Sequence, residues 1–478
     1  MKKDGYITVY LSLMIVLMLS FIIALTEAIR VQTIRFQTEC VMDIGITSIF
    51  AEYHRKLLEQ YGLFAIDMSY GSSSAEEENV KSRLLQYMNM NFIAPGQNRI
   101  SNYKDLTAVH ADNAQLSKIT YLSDERGEVL RYQILQYMKE QTGLSYVEDI
   151  LESESFLQND EKYQSLEKKK SNSYERIRNI LKSLNDCRQP EEGEISIENP
   201  AERVEEMKSS FLLDLAVKDS EKLLYNKVTL SRYLSHRDYV EGAGLWEEQL
   251  SPQKVGNRQL LRQYLFEKCG YFNALKKNSS LGYQLEYLLY GNSDDTENLN
   301  DMAKQLLKVR YVINAAYLFE NSAKTNEAAA LAATVTTGIG SPQLTEAVKT
   351  TILFAWCYAE SVQDLRILFD GNNVAGTKSD STWNVSLNEL LQFSATLDSY
   401  YSPQKGVSYS DYLSDFLLQK DESVLLMRLM DIMEMDIQKI LGNQGFQMDS
   451  CIYQLKANVN VSSKYGYGYS IAREYSYE

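Results

Sequence analysis

From Ile7 to Leu25 no position is charged, and neither Gly nor Pro interrupts the run from Tyr6 to Leu25. About 20 predominantly apolar residues are what an α-helix needs to cross roughly 30 Å of hydrocarbon, whereas the apolar part of a cleavable signal runs about 7 to 15. Glu27, Ala28, Arg30 and Val31 continue the chain without a break, and the best small-x-small site, Thr26-Glu27-Ala28, is a poor one. The segment is therefore expected to stay as a membrane span at residues 6–25, with Tyr6, Tyr10, Leu13, Leu17, Phe21 and Leu25 in the bilayer. Glu27 and Arg30, at i, i+3, mark its exit. Beyond them Ile34, Val41, Ile44, Ala51 and Leu58 recur along one side, until Gly62 offers a left-handed cap. The pattern predicts one rod from Tyr6 to Tyr61, about 84 Å at 1.5 Å per residue. Its outer half, residues 26–62, is a stalk whose apolar stripe must be covered.

The period then changes. "GLFAID" reads as a short strand, Gly71 to Glu78 as a solvated loop, and Val80 to Met90 as a helix. Leu106 to Leu122 is rich in β-branched and alternating residues and reads as one or two strands. At the C-terminus alternation is strict. Tyr453, Leu455, Ala457, Val459 and Val461 share one face; Tyr465, Tyr467, Tyr469, Ile471, Arg473, Tyr475 and Tyr477 share a face of the next strand, with a turn at Ser462 to Lys464. An isolated hairpin is marginal in water, so this tyrosine ladder is expected to complete a sheet with the earlier strands. The ladder either packs as core and edge or presents an adhesive face to glycans, peptidoglycan or a sister subunit.

Between these strands, periodicity near 3.6 residues predicts helices at Val129–Lys139, Tyr146–Leu157, Tyr174–Leu184, Ala201–Leu234, Asn257–Cys269, Leu299–Phe319, Thr325–Val335, Gln343–Leu368 and Leu413–Leu441. The expected fold class is α+β and mainly helical. A long N-terminal transmembrane and stalk helix packs on a small antiparallel sheet with strands near 63–68, 106–122 and 450–477, and a large helical insertion interrupts the sheet. The corresponding domains are 1–5 (cytoplasmic N-terminus), 6–25 (span), 26–62 (stalk), 63–124 (first part of the sheet region), 125–445 (helical domain) and 446–478 (tyrosine-rich hairpin).

Composition narrows the function. A chain of 478 residues with 44% apolar side chains can bury one large core or two moderate ones, and a net charge of -15 disfavours nucleic acid as a partner. Five widely spaced cysteines argue against a disulfide-built scaffold and against CxxC-type zinc or redox sites. Lys2 and Lys3 before the span are matched by Arg30 and Arg35 after it, so charge alone does not orient the chain. His54, His110 and His236 fall on separate elements with no HExxH or His-x-His spacing, and there is no GxSxG. "TTGIGSP" (Thr336 to Pro342) lacks the GK[ST] ending of a phosphate loop and reads as a helix-helix turn. No catalytic, cofactor or metal site is expected, and the protein is not expected to be an enzyme. The candidate polar cluster is Glu360 and Asp364, at i, i+4, with Arg366 nearby.

A single-span helix entered through Gly5, continuing as an amphipathic stalk backed by an antiparallel sheet, resembles the type IV pilin plan, and especially the TadE- and TadG-like pseudopilins of tight-adherence pilus systems. "TEAIR", "AEYHRKLLEQYGLFAID", "YLLYGNSDDTENL", "VRYVINAAYLF", "WCYAESVQDLRILFDGNNVAGTKSDSTW" and the tyrosine-rich tail are similar to an uncharacterised family of Gram-positive bacteria, domain of unknown function family 5702. The resemblance implies a cell-membrane protein with a cytoplasmic N-terminus, its bulk outside, and a pilin-like sheet. It carries no assigned activity. Pilins processed after this Gly have a Glu five residues later; here Tyr10 stands there and no acid occurs before Glu27, so an uncleaved TadG-like anchor fits better. Two functions follow as expectations. One is a pseudopilin-like assembly component of a Tad-type pilus or secretion apparatus, with the lipid bilayer, other pilus proteins and the cell wall as partners. The other is a tethered extracellular module whose helical head recognises a ligand or cell-wall component.

Overall fold

The computed structural model describes residues 4–72, 74–92, 107–142, 159–187, 194–207, 212–246, 256–392, 400–442 and 445–477. In chain order the main elements are α1 (Asp4–Phe50), α2 (Arg55–Tyr61), β1 (Ile66–Asp67), α3 (Glu77–Phe92), β2 (Val109–Tyr121) and α4 (Asp124–Thr142). Then come α5 (Asn159–Asp186), α6 (Pro200–Met207), α7 (Leu212–Ala216), α8 (Gly256–Lys268), α9 (Gln284–Tyr290), α10 (Asp295–Glu320) and α11 (Ser322–Val335). The chain closes with α12 (Pro342–Phe369), α13 (Leu387–Gln392), α14 (Tyr409–Gln419), α15 (Glu422–Leu441), β3 (Cys451–Ser463) and β4 (Gly468–Ser476). The protein is mostly helical with one small antiparallel sheet. It divides into a sheet unit (Met1–Gln141, Ser231–Lys254 and Leu429–Glu478) and a helical unit (Thr142–Leu230 and Val255–Arg428). Residues 125–141, Ser231–Lys254 and residues 429–445, which the sequence places in the helical domain, thus belong with the sheet.

In the sheet unit β3 is central. β2 pairs with it along one edge; β4 pairs along the other, and β1 continues that edge, all antiparallel. Leu455, Ala457, Val459 and Val461 of β3 and Ile471 of β4 are buried on one face, covered by α1 and α3, while Asn460 and Ser470 on the opposite face are exposed. This is the alternation of a half-solvated antiparallel sheet. The helix α1 is long and apolar enough to cross a membrane, and every residue from Tyr6 to Thr26 is exposed.

The expected single rod to Tyr61 is corrected. At Phe50 α1 ends, and a turn through Ala51 to His54 leads into the separate α2. Nothing in the local sequence forces the break; distant groups hold it. The backbone N–H of His54 donates to Ala65 O (2.9 Å), and the Glu52 carboxylate accepts from Arg83 Nη1 and Tyr87 Oη, both at 2.7 Å, on α3. His54 then caps α2 by accepting from the Leu57 N–H.

The helical unit is organised on α12, in which every residue from Thr351 to Phe369 is buried. A helix enclosed on all sides carries apolar residues all round rather than one stripe. Ser341 caps its N-terminus and Pro342 occupies the first turn. Two expected helices are not continuous. Ala201–Leu234 becomes α6, α7 and short single turns, and Leu413–Leu441 breaks where Asp421 accepts the N–H of Val424 and starts α15. The expected helix Tyr146–Leu157 lies outside the described residues.

Candidate functional site

In the sheet unit the candidate site is the seam between α1 and β4. The buried face of α1 is formed by Ile34, Thr38, Val41, Met42, Gly45, Ile46, Ile49 and Phe50. Of the stripe read from the sequence, Ile34 and Val41 lie in this face. Ile44 is 47% exposed, Ala51 is exposed past the helix end, and Leu58 is half-buried in α2. The true stripe runs through Thr38, whose hydroxyl donates to Ile34 O, and Gly45, which do not read as hydrophobic. At Gly45 a Cβ would lie 2.9 Å from Met88 Cγ and 3.2 Å from Leu84 Cδ1, so the missing side chain lets α3 approach α1.

The tyrosine ladder faces α1. Arg30 sits 4.3 Å from the Tyr465 ring centroid, Tyr467 Oη donates to Glu27, and Ile471 is buried against the core. Arg473 Nε donates to Asp43 at 2.7 Å, and Tyr475 and Tyr477 lie 4.6 and 4.9 Å from the Phe50 ring. Tyr477 Oη also donates to Phe50 O at 2.7 Å. Strand and helix run in the same direction and match in length: Tyr467 to Tyr477 advances about 33 Å at 3.3 Å per residue, and Glu27 to Phe50 about 35 Å at 1.5 Å. Glu27 and Arg30 pair with each other at 2.6 Å and meet the first ladder residues just past the bare part of the helix. The six residues placed in the bilayer, Tyr6, Tyr10, Leu13, Leu17, Phe21 and Leu25, are 51 to 81% exposed.

A strap from Ser231 closes the other end of the sheet. Gly242, Gly244 and Tyr121 donate their N–H groups to the buried Asp124 carboxylate at 2.7 to 3.1 Å. Burial pushes the Asp124 carboxyl up from its ordinary range, and these donors oppose it. A Cβ at Gly242 would meet Ile119 O at 2.3 Å, so the strap lies directly on the β2 backbone. Arg237 clamps it by donating to Glu434 and to Asp449.

In the helical unit Glu360 and Asp364 are fully buried, but Arg366 does not join them; its Nε donates to Leu215 O. The cations are Arg310 and Lys378. Lys378 Nζ donates to Glu360 at 2.5 Å, Asp364 at 2.7 Å and Thr382 O at 3.1 Å. Arg310 Nε donates to Asp364 at 2.9 Å, and its Nη1 to Ala375 O and Tyr412 Oη. Glu360 also accepts the backbone N–H groups of Asn384 and Val385. Burial pushes its carboxyl up against the opposing pull of Lys378; for Asp364 burial is outweighed by Arg310 and Lys378, which hold it below the ordinary range. The chemistry available is structural: two acids and two cations tie the segment after α12 to α10 and α12. Sequence reading missed Arg310 and Lys378 because one lies on another helix and the other in a loop.

His54 is a helix cap, and His110 and His236 lie on β2 and on a single helical turn. Among the described residues no group of three or more His, Cys, Asp or Glu is placed to hold a metal. A groove of about 390 Å³ between α5, α10 and α12 is open to solvent and is lined by Lys162, Lys169, Phe319 and Phe354 among others.

No curated protein and no solved structure matches the chain. Of the segments quoted for the resemblance, Tyr287–Leu299, Val309–Phe319 and Trp356–Trp383 lie within residues 190–463, whereas Thr26–Arg30, Ala51–Asp67 and the tail beyond Ser463 lie outside them. Those residues, more than half of the 478, match the model of a family of unknown function, DUF5702, and the chain belongs to that family.

Proposed function

We propose that the protein is a membrane-anchored, pilin-like structural component of a tight-adherence-type pilus or secretion apparatus, similar to TadE and TadG, with its N-terminus in the cytoplasm and its bulk outside. The observation that carries this reading is the division of labour within α1: Tyr6 to Thr26 is bare and apolar, while the inner face from Ile34 to Phe50 is the spine of a sheet. A mere tether needs no such continuity, because a flexible linker would serve. A rigid helix shared by bilayer and head fixes the head's height and orientation, as assembly into a regular structure requires. The outer face of the stalk supports the reading. Ile29, Phe36, Cys40 and Ile44 are exposed at helical spacing and leave an apolar stripe for a neighbouring subunit's helix.

The test is fractionation with oxidative cross-linking in cells. The full chain carrying Cys187→Ser, which removes the other exposed thiol, should resist alkaline extraction from membranes and form a Cys40-dependent adduct with itself or another one-span protein. Recovery of a soluble chain starting near Ile29 would refute the anchor. A membrane-retained chain giving no adduct from Cys40, Phe36→Cys or Ile44→Cys would refute assembly through the stalk.

A further inference from the structure

At the end of α1 remote from the bare segment, the sheet unit holds an open groove of about 620 Å³ lined by Phe50, Tyr53, Phe64, Trp246, Tyr475 and Tyr477. That lies within the roughly 300–1,000 Å³ that accommodates a small organic ligand. The rings form one connected wall. Phe50 contacts Tyr475 and Tyr477 at 4.6 and 4.9 Å, Tyr477 stacks on Phe64 at 5.5 Å, and Tyr53 meets Phe64 edge-on at 5.2 Å. Phe50 is buried behind them; Tyr53, Phe64, Trp246 and Tyr477 are half-buried and Tyr475 is exposed, so ring surface faces the groove.

We propose that this groove is a carbohydrate-binding site taking a short oligosaccharide of pyranose units. A pyranose has an apolar face of axial C–H groups that lies on an aromatic ring and a rim of hydroxyls that seeks hydrogen bonds. The wall supplies both. Its rings are large, rigid and amphipathic, and the hydroxyls of Tyr53, Tyr475 and Ser476 at its edge make no hydrogen bond with another described residue. Aromatic walls also attract organic cations through the ring quadrupole, but two ammonium groups, Lys118 and Lys456, stand beside this wall and repel a further cation. The one carboxylate here, Glu474, accepts from Lys456 at 2.9 Å and Lys118 at 3.4 Å, which hold its carboxyl below the ordinary range. A lipid headgroup is disfavoured by distance: from Thr26 to Phe50 the helix rises about 36 Å at 1.5 Å per residue. The site goes beyond the assembly reading and rests on it only where the span of α1 sets the distance to a lipid headgroup.

The experiment uses the full chain in a polyoxyethylene detergent, which carries no sugar to compete, titrated with chitotetraose and cellotetraose by calorimetry and tryptophan fluorescence. Saturable millimolar or tighter binding of either probe is expected, with a fluorescence change that Trp246→Phe abolishes. Tyr53→Ala and Tyr475→Ala should each weaken binding about tenfold, equivalent to roughly 1.4 kcal/mol, and Lys162→Ala, in the helical unit, should leave it unchanged. Should an alanine variant misfold by circular dichroism, Tyr53→Phe and Tyr475→Phe remove only the hydroxyls and should still weaken binding. Absence of saturable binding by both probes, binding indifferent to all four tyrosine variants, or selective uptake of tetramethylammonium instead would overturn the proposal.

Discussion

Replacing Lys378 with Met tests the buried charge network most directly. Methionine keeps the length and apolar stem but removes the three donors, which in the native chain reach Glu360, Asp364 and Thr382 O at 2.5, 2.7 and 3.1 Å. Asp364 keeps Arg310 and Asn314, whereas Glu360 retains only backbone N–H groups and becomes a buried carboxylate without a cation. Removing one partner of a buried ion pair costs about 3–5 kcal/mol. For a unit of this size, each kcal/mol lowers the midpoint by roughly 2–4 °C, so a fall of about 10 °C is expected. The probe is built in: Trp356 and Trp383 both donate their indole N–H to Val385 O beside the network, and in a Trp246→Phe background they are the remaining tryptophans. Guanidinium unfolding followed by their fluorescence gives the loss. Adding Glu360→Gln to Lys378→Met should recover about 2 kcal/mol, because a neutral amide still accepts the N–H groups of Asn384 and Val385 without a buried charge. A loss below 1 kcal/mol for the single variant, or no recovery in the double, would refute the claim that this network holds the segment after α12.

The remaining predictions concern pH, the stalk and the seam. Glu286 is fully buried, accepts from Tyr409 Oη and the Phe272 N–H, and has its carboxyl pushed by burial from 4.5 to about 7. A raised carboxyl stabilises the fold below its unfolded pKa, and that contribution is lost as pH rises through the folded value. Between about pH 4.5 and 7 the helical unit should therefore lose roughly 3 kcal/mol relative to Glu286→Gln; parallel pH profiles of the two proteins would contradict this. Val41→Asp places an unpaired charge in the core and should expose the sheet unit to protease, at a cost of several kcal/mol, whereas Ile44→Asp, on the outer face, should leave protease resistance within experimental scatter. Equal sensitivity of both would show that the stalk packs differently. At the seam, Tyr477→Ala loses a ring packed against Phe50 and Phe64 and should cost roughly 2–4 kcal/mol in denaturant, while Arg473→Ala, from an exposed pair with Asp43, should cost less than about 1 kcal/mol. The reverse ranking would mean that charge rather than packing holds β4 to α1.

Much of the fold was legible because it rests on short-range periodicity. The uncharged run from Ile7 to Leu25 dictates a bare apolar helix, and the two-residue alternation from Cys451 to Tyr477 dictates strands whose odd-numbered side chains share a face. The same alternation placed the tyrosines together but left open what they face. That was decided by α1, lying along them over a matching length, so the ladder's first role is packing. The end of α1 was not legible, because Glu52 and His54 are held by Arg83, Tyr87 and Ala65, far along the chain. For the same reason the stripe was misread at Ile44: which side of a helix is inside depends on its neighbours, and Gly45 and Thr38 serve the interior only because α3 and the sheet come close.

The buried cluster divides in the same way. Spacing alone set Glu360 and Asp364 on one helical face, and an apolar helix around them implied that they would be inside. The cations could not be assigned from spacing. Arg366, close in sequence, turns to a backbone carbonyl, while Arg310 and Lys378 arrive from another helix and a loop. What the sequence by itself determined is what one helix or strand needs of its own residues: period, caps and the absence of charge in a span. Which acid meets which cation, where a rod stops and which face is covered were decided only in three dimensions, because those energies belong to pairs of groups that the chain brings together from far apart.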